Sequence, residues 1–471
     1  VLRHEDLETV QLWARMVVRH VADCGFAARI ETTNTMDAWL GSLPGETFCN
    51  VRRPLIHTAN LADLWPLSGI WTGSATNPCP LYPQPAPPLM HAATVGAIPF
   101  RLNFHVGDVG HGLVFGPIGR GKSTLLATVA MQALRYPGMQ ITAFDYKRGL
   151  LATVQACGGR HFEIGGDATP ALCPLGVLES ENDRAWAEEW LETCYQLQTE
   201  ASFTPHQRQE THTALERLAR QPFRSMSDFL VLVQDASVAD ALRYYTLEGA
   251  AGYMLDARAD AIITGHFNVF ETIDLMGLKE KAYLPVLLYL FRRFERGLDG
   301  RPAMLFLDEA WVALGNPVWR EKLRAWLKLL RSRNCAVVMA TQSLSDASRS
   351  GLLDVLVESC PTKIYLPNDE ALKRGTPETP GPNDLYRAMG LNDNQIEIIR
   401  TAVPKREYYV VTPEGCRLVD LALGPLALAF AGATSEADAK TVRELVATHG
   451  EAWVRRFLDQ KGVDYARYLP A

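Results

Sequence analysis

From about residue 91 onward, short runs of apolar residues alternate with stretches whose apolar positions recur every three or four residues. The runs at 112–115, 140–144, 303–307, 336–341 and 363–366 are nearly continuous in apolar side chains. That pattern predicts strands buried on both faces, as in a parallel sheet covered by helices. Two later runs, 407–412 and 417–423, predict an antiparallel edge. Between 178 and 265 the periodicity is almost entirely helical, beginning with Trp186, Trp190, Leu191, Tyr195 and Leu197 and continuing through Leu215, Leu218 and Phe223. This predicts an all-helical insertion. The chain then returns through a strand at 268–272 and a helix at 284–294, and 435–456 reads as one or two helices. The first 90 residues open on an amphipathic helix (Leu7, Val10, Leu12, Met16, Val17) and become rich in turns. The proline-rich stretch 72–88 reads as a linker or extended arm. The expected division is 1–90 (end of an upstream domain plus linker), 91–177 (first segment of the core), 178–265 (insertion), 266–430 (second segment of the core) and 431–471 (C-terminal helices).

Composition narrows the picture slightly. A net charge of -6 argues against a chain that coats nucleic acid over its whole surface, while leaving a local basic groove open. Nine cysteines without a C-x-x-C pair argue against a zinc or disulfide framework and for a reducing compartment. The most apolar run, 421–434, is too short to span a bilayer. No signal peptide is visible. The chain begins at Val1 inside helix-like sequence, so an absent upstream region is expected.

The chemistry starts at Gly116-Pro117-Ile118-Gly119-Arg120-Gly121-Lys122-Ser123, followed by Thr124. It fits G-x-x-x-x-G-K-[ST], the P-loop or Walker A pattern. The glycines let the backbone turn tightly and aim its N–H groups at phosphate oxygens. Lys122 would place its ammonium on the β- and γ-phosphates of ATP, and the Ser123 hydroxyl would hold Mg²⁺. An apolar strand precedes the loop and a good helix former follows it, which is the context the motif needs. Far downstream, the apolar run 303–307 ends in Asp308-Glu309. Asp308 at a strand end can hold Mg²⁺ through its water shell. Glu309 points elsewhere and can polarise the attacking water as a general base. The next strand, 336–341, ends at Gln342, placed to sense the γ-phosphate or the water.

Between those strands, 319–333 carries six basic residues and one acid, with Leu323, Trp326, Leu327 and Leu330 on the other helical face. The plain reading is a core helix with a solvated basic face. The sharper one is that Arg331 or Arg333 reaches a neighbouring subunit's γ-phosphate as an arginine finger, because a guanidinium forks onto phosphate oxygens. Arg292, Arg293 and Arg296 form a second basic cluster, read as a solvated helix face.

These residues resemble the large ATPase of type IV secretion and conjugative transfer systems, in particular the conjugal transfer protein E group of the Trb type. The resemblance rests on the stretches 39–45, 58–67 and 99–111 upstream of the loop. Downstream it rests on 306–311, 330–334, 340–343 and 361–368. It implies a RecA-like core with a helical insertion, and ATP hydrolysis that drives pilus assembly and the transfer of DNA or protein. It implies a cytoplasmic position at the bacterial inner membrane, as a hexameric ring or dimers, with other inner-membrane components of the apparatus as partners. Direct DNA contact is left open. Arg120 departs from the small residue expected at its position. A DNA translocase or coupling-protein ATPase of the same superfamily shares the core motifs. It should carry transmembrane helices or a basic DNA-tracking surface, and neither is evident in the sequence.

Overall fold

The computed structural model describes residues 1–50, 57–64, 70–96, 98–166, 168–309, 317–342, 353–376 and 379–468. Trp65, Pro66, Leu67, Ala310, Trp311 and Ser343, which belong to the stretches that carry the resemblance, lie outside them. The chain divides into two compact units, 1–70 and 71–471. In the first, the helix Leu7–Asp23 is capped by Asp6, whose carboxylate accepts the Thr9 N–H at 2.7 Å.

The second unit is built on a sheet. Its strands are β1 (Met90–Ala92), β2 (Phe100–Leu102), β3 (Gly112–Phe115), β4 (Gln140–Asp145), β5 (Arg160–Glu163), β6 (Phe267–Glu271), β7 (Ala303–Asp308), β8 (Cys335–Thr341), β9 (Thr362–Tyr365), β10 (Glu407–Thr412) and β11 (Gly415–Asp420). Nine of them form one sheet in the order β11-β10-β9-β3-β8-β7-β4-β6-β5. The strands from β9 to β5 run parallel, and β10 and β11 add the antiparallel edge. This is the α/β, RecA-like class the apolar runs and the resemblance imply, with helices between β5 and β6 where the insertion is expected.

The two-residue period of a strand sorts the core into two layers. Leu113, Phe115, Leu305 and Leu307 face one way, toward the helices Glu181–Thr199 and Glu280–Arg296. Val114, Met304 and Phe306 face the other, toward the helix Lys122–Ala133. In the insertion, Ser180, Thr204, Ser225 and Asp235 each cap a helix start. The Trp190 indole N–H donates to the Pro285 carbonyl at 3.0 Å and fastens the insertion to the core helix. The C-terminal helices Pro425–Ala431, Glu436–His449 and Trp453–Gln460 pack through Phe430, Val442 and Phe457 onto Leu151 and Ala152.

The proline-rich stretch is not a free linker. Cys79, Tyr82, Ala86 and Leu89 are buried in the second layer. Asn77 donates to the Tyr136 hydroxyl at 3.0 Å, and Asn334 donates to the Leu81 carbonyl at 3.2 Å. The prolines hold the segment extended at little entropic cost, and the apolar residues between them cover the sheet. The sheet-bearing unit accordingly starts at Trp71 rather than near residue 91.

Candidate nucleotide site

The parallel strands end together, so the residues that follow them share one edge of the sheet. Gly116 leaves β3 and its N–H donates to the Thr341 carbonyl at the end of β8. Ala340 stands opposite Asp308 in the β7–β8 register, and the Glu309 N–H donates to the Ala340 carbonyl at 3.1 Å. Gln342, half-buried, follows directly on β8, between the loop strand and the acidic strand.

The loop 116–121 turns into the helix Lys122–Ala133 through Gly121, whose φ is +101°. A Cβ there would stand 2.5 Å from the Tyr408 hydroxyl, so the residue is confined to glycine both by conformation and by space. That hydroxyl donates to the Gly121 carbonyl at 3.1 Å, and the Lys405 N–H donates to the Arg120 carbonyl at 3.2 Å. Arg120 itself turns outward and pairs with Asp369. Ile118 and Gly119 are exposed and Pro117 half-buried, and Thr124 lies in the first turn of the helix.

Lys122 is buried, and its Nζ lies between two carboxylates. It pairs with Asp308 Oδ1 at 2.9 Å and with Glu309. Glu309 adopts φ +53°, left-handed for a residue with a side chain. Such a conformation costs on the order of 1–3 kcal/mol and persists where its surroundings enforce it. Asp308 Oδ1 is buried and, the ion pair aside, accepts no hydrogen bond among the described residues.

A third acid joins this group and escaped the sequence reading. Asp145 ends β4, beside β7, and is fully buried. Its two oxygens accept the N–H groups of Lys147 (3.1 Å) and Leu150 (2.8 Å). Burial, then the neighbouring Asp308, push its carboxyl up to about 7. The loop after it crosses Ser123: a Cβ on Gly149 would lie 3.1 Å from Ser123 Cβ and 3.2 Å from its hydroxyl. The signal was available in Phe144-Asp145-Tyr146-Lys147-Arg148-Gly149, an apolar strand ending in an acid before a glycine turn.

Arg331 and Arg333 are not in this cluster. The helix Pro317–Ser332 runs from the acidic end of β7 back to the start of β8, which carries both arginines to the opposite edge of the sheet. There Arg331 makes a two-pronged pair with Asp108, 2.9 Å to each oxygen. Next to the site, His161, Glu163 and Glu271 bring ligand-type atoms within 4.8 Å of one another. Arg148 and Arg443 already hold these carboxylates, so the cluster reads as an ion-pair network.

No protein-family model matches the chain. It is 51% identical over 474 residues to a probable conjugal transfer protein TrbE, in its second portion, of Sinorhizobium fredii (strain NBRC 101917 / NGR234), covering all of this chain and 70% of that protein. The chain belongs to the TrbE conjugal transfer family. It is also 50% identical over 476 residues to the conjugal transfer protein TrbE of Rhizobium radiobacter, again along its whole length but over 57% of that protein. The chain thus spans little more than half of this TrbE relative. The type IV secretion system protein virB4 of Bartonella henselae is 25% identical over 411 residues, covering 84% of this chain and 49% of that protein. Among solved structures, VirB4 of Thermoanaerobacter pseudethanolicus superimposes with a TM-score of 0.57 at 18% identity, over 72% of this chain and 98% of that one. That likeness is one of fold.

Proposed function

We propose that the chain is the ATP-hydrolysing motor portion of a type IV secretion or conjugation apparatus, coupling hydrolysis to pilus biogenesis and to the transfer of DNA or protein. One observation carries the reading: Lys122, Asp308 and Glu309 meet beside Ser123 at the common end of the parallel strands. The names of the TrbE and virB4 relatives support the apparatus. Among the described residues no helix is long and apolar enough to cross a membrane. A place at the cytoplasmic face of the inner membrane, reached through other components of the apparatus, suits such a chain.

In this reading the N–H groups of residues 118–123 cradle the phosphates and Lys122 neutralises the β- and γ-oxygens. The Asp308 oxygen, held by the Lys122 ion pair alone among the described residues, and the cleared Ser123 hydroxyl suit a hard divalent cation, so these two would hold Mg²⁺. Bound there, it would screen the charge that develops on the phosphates. Phosphate oxygens compete with Glu309 for Lys122, which releases that carboxylate to take a proton from the attacking water. Gln342 orients the water or the γ-phosphate. The charge on the leaving phosphate is met by an arginine from a neighbouring subunit in a hexameric ring or a dimer.

Steady-state ATP hydrolysis against protein concentration, with and without DNA, tests this. Lys122→Ala is expected to lose turnover, and Glu309→Gln to keep ATP binding while losing hydrolysis. Full activity in Glu309→Gln removes its role as base. Strong stimulation by DNA moves the chain toward a DNA translocase.

A further inference from the structure

The arginines of the helix Glu280–Arg296, expected on a solvated face, instead line a cavity. It has a volume of about 600 Å³ and lies between the insertion and the start of β4 and β6. Sites for small molecules typically hold about 300–1,000 Å³. The cavity shares no residue with the phosphate loop. Gln140 at the start of β4 lines it, whereas Asp145 at the end of β4 belongs to the loop site. Thr142 and Phe270 line it too, so three steps of about 3.3 Å, roughly 10 Å along the strand, separate its nearest β4 lining from Asp145.

Its charge is unbalanced. Arg258, Arg292, Arg293 and Arg296 line it against only two acids, Asp183 and Asp260. Those acids are spent on positioning. Asp183 pairs with Arg292 at 3.0 Å, and Asp260 takes Arg293 at 2.6 Å together with the Tyr289 hydroxyl. Even so, Arg293 keeps a buried Nε without a hydrogen-bond partner among the described residues. Two guanidiniums are left to receive a ligand. Arg258 lies over the Phe223 ring at 4.9 Å, a contact that leaves its N–H groups unspent. Arg296 is 42% exposed and reaches Asp183 only at 3.8 Å. The rings of Trp186, over which Arg292 lies at 5.8 Å, and of Tyr289 also line the cavity, as does Gln140.

Forked donors beside flat aromatic walls match an anion that also carries a planar, hydrogen-bonding ring. We infer that this cavity is a second nucleotide site, taking a nucleoside di- or triphosphate. Its phosphates lie on Arg258 and Arg296, and its base lies against Trp186. A ligand seated there touches the helix Glu181–Thr199, the segment 258–265 and the helix Glu280–Arg296 at once. It therefore fastens the insertion to the core.

Equilibrium dialysis with radiolabelled ADP counts the sites. The wild-type chain is expected to bind two equivalents. Arg258→Ala/Arg296→Ala is expected to bind one, with affinity for the other weakened at least tenfold, and Lys122→Ala is expected to keep that other one. Both arginines are exposed, so the double variant should fold, and Trp186→Leu gives an independent second variant with the same expected loss. One equivalent in the wild type, lost in Lys122→Ala and untouched by the arginine and Trp186 changes, overturns the inference. So does a single-stranded oligonucleotide that binds through Arg258 and Arg296 where ADP does not. Loss of the equivalent in the arginine variant with no effect of Lys122→Ala leaves the cavity standing and removes the phosphate-loop reading instead.

Discussion

Asp145 shows how a single side chain is held at a cost to the fold. Its carboxyl is fully buried beside Asp308 and is pushed from 3.8 to about 7. A raised carboxylate pKa means that the folded state holds the proton more tightly than the unfolded chain does. The contribution of this carboxyl to stability is therefore greatest below pH 4 and is lost as pH rises from 4 through 7. At about 1.4 kcal/mol per pH unit, the ionised carboxyl costs about 4 kcal/mol above pH 7. Asp145→Asn removes that cost and gives up one of two acceptor oxygens, worth about 1 kcal/mol. The variant is expected to be more stable than wild type by roughly 3 kcal/mol at pH 8, and no more stable at pH 4. It is also expected to turn over ATP more slowly, because the carboxylate beside Asp308 is gone. Denaturant unfolding at the two pH values checks the first expectation, and a difference that does not depend on pH refutes it. Lys122, Ser123, Asp308 and Glu309 could be singled out from sequence because each stands in a spaced motif. Asp145 could not be weighed against other acids until the sheet order placed β4 beside β7.

At the scale of elements, legibility followed how strands are buried. β3, β4, β7 and β8 are apolar on both sides, so their runs were continuous and could be read directly. β5 reads Arg-His-Phe-Glu, because its outer edge is satisfied by ion pairs rather than by packing, and such a strand leaves no apolar run. The proline-rich arm misled for the opposite reason: its turn residues were conspicuous, and the buried Cys79, Tyr82, Ala86 and Leu89 between them were not. The antiparallel edge has a use the sequence did not reveal. Through Tyr408 and Lys405 it is tied to the carbonyls of Gly121 and Arg120, so the phosphate loop is held from the side of β10. Tyr408→Phe removes one neutral hydrogen bond, worth about 1 kcal/mol, and is expected to raise KM for ATP about fivefold with little change in kcat. Gly121→Ala brings a methyl group into the Tyr408 hydroxyl at a residue with positive φ, and is expected to abolish binding. Wild-type KM in Tyr408→Phe would show that the tie does not shape the loop.

At the scale of the whole molecule, the arginines decide whether one chain suffices. Arg331 and Arg333 sit at the edge of the sheet where β8 begins, and Lys122 at the edge where β3 ends. Strands of this length separate the two edges by roughly 20 Å at about 3.3 Å per residue, too far for an arginine side chain to span. If either guanidinium completes the site, it does so on another subunit, across a head-to-tail interface. Arg331 would then have to leave Asp108, whereas Arg333 has no carboxylate partner among the described residues. The test is complementation. Lys122→Ala keeps its arginines but cannot use a neighbour's, and Arg331→Ala/Arg333→Ala keeps its loop but cannot supply a neighbour. Each is expected to be inactive alone. In an equal mixture, about a quarter of head-to-tail interfaces pair an intact loop with an intact arginine, so about a quarter of wild-type activity should return. Restored activity requires the arginine to act between subunits, because neither chain carries both halves. A double arginine variant that is fully active alone shows that no finger is drawn from this helix. An inactive pair that stays inactive on mixing shows that the arginines hold the fold rather than the phosphate.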